Sequence, residues 1–86
     1  MAGFFVLMRQ KSKQQFAKAL GIQIKKARIS KGISLKHFEA KDGAIDRHDL
    51  SRIESGQKVP NLYTIYRICL TLEIELKDLF QSFNLK

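Results

Sequence analysis

The 86-residue chain predicts an all-α fold of five short helices in one compact domain. Apolar residues recur at steps of three and four along most of its length, the spacing of a helix with one buried face. The runs are punctuated by residues that start helices, Ser, Asp and Asn, and by glycines that stop them. No segment reads as a strand.

Residues 1–12 are expected to form a flexible N-terminal tail, with residues 13–86 as the single domain. The opening MAGFFVLM is apolar but far too short to span a bilayer, and it lacks the preceding basic stretch of a secretory signal. It reads as a poorly ordered or partner-dependent arm, or as an extension upstream of a start at Met8. From Lys13 to Ser30, Phe16, Leu20, Ile24 and Ala27 fall at spacings of four, four and three, and Gly32 closes the helix after Lys31. Ser34 is the N-cap of a second helix running to about Ala40, with Phe38 as its main core residue. Lys41-Asp42-Gly43-Ala44 reads as a turn, and Ile45 staples the start of the next helix.

That third helix is the most explicit element. In DRHDLSRIESGQKVP, Asp46 caps the first turn, and Asp49 adds negative charge where the helix dipole favours it. Leu50 and Ile53 make one apolar stripe, which leaves Arg47, His48, Ser51 and Arg52 largely off it. Gly56 supplies the left-handed position that ends the helix. Barely three turns have little stability alone, so the helix depends on what it packs against. Asn61 then caps a fourth helix in which Leu62, Ile65, Ile68, Cys69 and Leu72 are expected to form the hydrophobic spine, and Glu75 starts a short last helix holding Leu76, Leu79 and Phe80.

Composition narrows the function. With 44% hydrophobic and 28% charged residues the chain is an ordinary folded domain rather than a disordered one. Cys69 is the sole cysteine, so no intrachain disulfide or cysteine zinc site is available, and a reducing, cytoplasmic setting is the default. The net charge of +8 is lopsided: residues 1–38 hold nine Lys or Arg and no acid, and residues 39–86 hold seven against eight, giving +9 and −1. Such a concentration suits a polyanion, either nucleic acid or an anionic membrane surface, or is simply a solvated helix face. A membrane role is disfavoured because Phe16, Leu20 and Ile24 are committed to the core. The two His and one Cys are dispersed, and no phosphate loop or metal-ligand spacing occurs, so no enzymatic activity, metal or cofactor is expected.

Two short helices joined through Gly43, the second displaying Arg and His, resemble the phage repressor and Cro-type (XRE-like) helix-turn-helix family, with its lambda-repressor-like five-helix fold. The likeness runs from about Leu20 to Phe80. Its strongest parts are Leu50-Ser51-Arg52-Ile53-Glu54-Ser55-Gly56, then Pro60, then Leu79-Phe80. The resemblance implies that the helix over 46–55 enters the DNA major groove, with Arg47, His48, Ser51 and Arg52 reading bases. Arg suits the role because it pairs bidentately with guanine O6 and N7. It further implies phosphate contacts from Ser34, Lys36, Lys58 and Asn61, and a structural ion pair between Arg28 and Glu54. Two departures stand out: Leu35 occupies a position where the family usually has Gln, and the turn counts one residue longer, putting Glu39 near the small residue at which the two helices normally meet, with Ala40 next to it.

The expected function is therefore a sequence-specific transcriptional regulator, a repressor, acting on a double-stranded DNA operator as a homodimer. Leu76, Leu79, Phe80, Phe83 and Leu85 are the candidate dimer interface. Similar small proteins act as antitoxins, with a toxin as protein partner, or as restriction–modification controllers. The competing class is a helical protein-interaction module that does not bind DNA.

Overall fold

A computed structural model describes residues 12–81. Among them are five helices and no strand: α1 (Lys13–Ser30), α2 (Leu35–Glu39), α3 (Arg47–Glu54), α4 (Leu62–Leu72) and α5 (Leu76–Gln81). Residues 1–11 of the tail assigned to 1–12, together with the interface residues Phe83 and Leu85, lie outside the described residues.

Local chemistry fixes the helix ends. Ser12 and Gln15 form a reciprocal capping box at the start of α1, and Ser34, Asp46 and Asn61 cap α2, α3 and α4 through their side chains. At the end of α1, Gly32 N–H donates to the Ile29 carbonyl and Ile33 N–H to the Arg28 carbonyl, the paired bonds of a Schellman stop. The same pair closes α3, where Gly56 (φ +80°) and Gln57 donate to Ile53 and Arg52. At the end of α4 the left-handed position is held by Glu73 (φ 56°), a residue that bears a steric cost there which glycine would not.

Leu20, Ile24, Phe38, Leu50, Ile53, Ile68 and Leu72 are fully buried in one core, joined by Ile45, Ile65, Cys69 and Leu79. Each such side chain contributes about 1.5–3 kcal/mol by leaving water. Two expectations are corrected here. Leu62, assigned to the spine of α4, is 69% exposed, whereas Leu79, assigned to the dimer interface, is core. At 100° per residue, Ile65, Ile68, Cys69 and Leu72 share one arc and Leu62 falls beside it, in line with Tyr66 and Leu70. Leu79 is drawn inward because α5 packs on α1 and α4 and has one turn with which to do so.

Helices α1 and α3 approach closely. A Cβ at Gly21 would stand 2.4 Å from the Ile53 carbonyl oxygen and 2.5 Å from that of Glu54. Glycine at 21 is what lets the last turn of α3 lie directly on α1.

Candidate functional site

The site is built on α3, and both ends of that helix are held. At its C-terminus, Arg28 reaches from α1 to Glu54 in a two-pronged ion pair, Nε to Oε2 at 2.8 Å and Nη2 to Oε1 at 3.0 Å. The remaining Arg28 Nη1 donates to the Ile33 carbonyl at 2.8 Å, tying the turn after α1 into the same joint. Both side chains are more than nine-tenths buried. The planar guanidinium matches a carboxylate in this arrangement in a way Lys would not.

At its N-terminus, Asp46 accepts from the His48 amide at 2.6 Å and Glu39 accepts from the Arg47 amide at 3.0 Å. The amide bond from His48 is the chief reason the Asp46 carboxyl is held below its ordinary range. The turn before α3 is clamped from the opposite side by Arg67 of α4, which donates to the Gly43 carbonyl at 3.0 and 3.1 Å and to that of Ala44 at 3.2 Å. The role of Glu39 corrects the sequence expectation. It does not lie between helices; it is an exposed cap on α3, and Ala40 is exposed as well. The longer turn, with Gly43 at φ +77°, lets the Glu39 carboxylate reach the first amide of the next helix.

With Leu50 and Ile53 buried, the outward arc of α3 carries Arg47, Ser51, His48 and Arg52 in angular order, spanning about 140° at 100° per residue. All four are exposed, and the His48 side chain is 82% accessible. The structure thus brings these four together on one short face of about 12 Å. Lys58 joins them from the loop after α3: its Nζ lies 3.5 Å from Asp49 Oδ1, and Arg52 Nη1 lies 4.0 Å from the same oxygen. Ser34, Lys36 and Asn61 are exposed at or near the ends of other helices. The oxygens of Ser34 and Asn61 are engaged by the amides of His37 and Thr64, leaving the hydroxyl and amide hydrogens as their donors to a ligand.

The face is electrically self-matched. Arg47 lies 3.9 Å from Glu39, His48 3.3 Å from Asp46, and Arg52 and Lys58 share Asp49. Contacts of this length between exposed groups are weak and screened by solvent, so a stronger anionic or acceptor ligand displaces them at little cost. The unbalanced positive charge lies elsewhere, on Lys13, Lys18, Lys25 and Lys26 of α1, all exposed on a helix without an acid. The uncompensated charge of α1 is thus carried by a different helix from the paired cations of α3.

Sequence reasoning missed Gly21, Glu39 as a cap and Arg67. Gly21 could have been suspected, as a glycine inside a strongly periodic helix. Nothing local signals Arg67, because its acceptors lie 23 and 24 residues away.

Among the described residues, no group of three or more His, Cys, Asp or Glu is placed to hold a metal, and no helix is long and apolar enough to cross a membrane. Burial raises the Cys69 thiol and Asp78 adds to the effect, so the group stays a protonated core residue. A family model described as a helix-turn-helix domain matches residues 21–85, beginning at the close-packed glycine of α1 and covering α2 to α5. No match to the chain was found among curated proteins.

Proposed function

Because the chain belongs to the helix-turn-helix domain family, we propose that it is a sequence-specific regulator of the phage repressor and Cro type, a repressor that reads double-stranded DNA through the major groove with α3. The observation that carries this reading is the exposed arc of Arg47, Ser51, His48 and Arg52 on a helix fixed at both ends. A helix of this width fits the major groove, where each base pair presents a distinct pattern of donors and acceptors. Arg47 and Arg52 read guanine, and His48 donates to an N7 or O6 acceptor. Lys58, Lys36, Ser34 and Asn61 hold phosphates and so set the register without selecting sequence. The lysines of α1 speed encounter.

One such helix reads only a few base pairs. Two copies of the chain, with equivalent helices about 34 Å apart on a two-fold site, supply the specificity a regulator needs. The acids that pair with the reading cations reduce affinity for arbitrary sequence, because each cation leaves a carboxylate before it meets a phosphate.

Selection of bound duplexes from a random pool with purified protein tests the reading. A defined site is expected. Arg47→Ala and Arg52→Ala each relax preference at one position by about 1–3 kcal/mol, while Lys58→Ala weakens all sequences alike and lowers the salt slope by about one. Equal affinity for every duplex would refute it.

A further inference from the structure

The outer face of α4 carries Leu62, Tyr63, Tyr66 and Leu70, each between 51% and 69% exposed. No charged side chain lies among them on that arc, and the next cation along the helix, Arg67, is turned away to the carbonyls of Gly43 and Ala44. The rings of Tyr63 and Tyr66 lie 6.4 Å apart, forming one continuous aromatic surface. With side chains of ordinary size, the exposed area of the four is about 500 Å², at the upper end of the largest apolar patch a monomer normally shows.

We infer that this stripe is a docking surface for a second copy of the same chain, packed antiparallel with Tyr66 on the two-fold axis. Three features select that occupant. Leu62, Tyr66 and Leu70 repeat at intervals of four, so the pattern reads the same in both directions. Turned about Tyr66, it sets Leu62 of each copy against Leu70 of the other, the self-complementarity that a two-fold interface requires. Two such faces bury about 1,000 Å² together, the threshold for a specific interface. Finally, no lysine or arginine lies among these four residues, so two copies of a chain of net charge +8 meet there without opposing cations.

The inference deepens the proposed function by naming the partner that brings a second reading helix. Lys58, which sits beside α3, is four residues from Leu62, so the interface begins within about 14 Å of the reading face.

Light scattering and sedimentation of the full chain without DNA test the dimer independently of any DNA activity. The expected result is a dimer that Tyr66→Glu converts to a monomer, weakening association at least a hundredfold with an unchanged circular dichroism spectrum, while Phe80→Glu on α5 leaves it intact. Leu62→Lys and Leu70→Glu each weaken association at least tenfold. Together in one chain they restore it, because the antiparallel arrangement sets each Lys against a Glu. Wild-type protein that stays monomeric at 100 µM overturns the inference, as does a Tyr66→Glu dimer or a double variant without rescue. A monomer whose tyrosine fluorescence shifts on deletion of residues 1–11 overturns it as well, by seating the chain's own apolar segment on the stripe.

Discussion

Gly21→Ala tests the joint between α1 and α3, and competing effects give it opposite signs. By helix propensity alone the change stabilises an interior helical position by about 1 kcal/mol. The contact geometry opposes this. The new methyl would lie 2.4 Å from the Ile53 oxygen and 2.5 Å from the Glu54 oxygen, both backbone atoms that cannot rotate aside, so α1 and α3 must separate by about 1 Å to restore ordinary contact. The Arg28–Glu54 pair spans the same joint with donor–acceptor distances of 2.8 and 3.0 Å and stretches with it. Overpacking of this kind costs typically 1–3 kcal/mol, and more where backbone must move. An upper-range cost of about 3 kcal/mol against the gain of about 1 kcal/mol leaves a net loss of about 2 kcal/mol, and for a domain of this size each kcal/mol lowers Tm by roughly 4–8 °C. Urea unfolding followed by far-ultraviolet circular dichroism measures it, an unchanged m-value showing that the shift in midpoint is a change in stability. A variant as stable as wild type, or more so, would refute the close-packing argument.

Three further perturbations address separate joints. Glu54→Ala leaves the Arg28 guanidinium buried without its partner and is expected to cost about 3–5 kcal/mol, while the folded fraction keeps its sequence preference; altered preference with unchanged stability would reverse that assignment. Glu73→Gly relieves the left-handed strain at the end of α4 and is expected to raise stability by about 1 kcal/mol in thermal melts, against which a neutral or negative effect would count. The Asp46 carboxyl, held low mainly by the His48 amide, stabilises α3 fully above its ordinary value of 3.8, and that contribution is lost as pH falls through the lower folded-state value. A carboxyl midpoint at or above 3.8 in an NMR titration would contradict this.

The helix boundaries were legible because they are written locally. Ser34, Asp46 and Asn61 cap within two or three residues of themselves, and Gly32 and Gly56 take the left-handed position that only their own neighbours require. The outward arc of α3 was legible for the same reason, since Leu50 and Ile53 fix which side is buried. Leu62 shows where periodicity stops informing. Three-residue spacing to Ile65 is compatible with either edge of the buried arc, and only the packing of α4 decides which. Leu79 fails in the same way, because a six-residue helix carries too little pattern to say which of its apolar groups turns inward. Glu39 and Arg67 depend on the path of a turn, and no residue count states where a carboxylate or guanidinium arrives after it.

The joints that hold α3 and the groups it presents to the outside are borne by different atoms. Gly21, Arg28, Glu54, Arg67 and the backbone amide of Arg47 position the rod, whereas the tips of Arg47, His48 and Arg52 make only exposed contacts, to Glu39, Asp46 and Asp49. The lettering on this rod can therefore be rewritten without disturbing its mounting. Because the joints that hold α3 involve none of these tips, a new set of four would be presented in the same place and orientation.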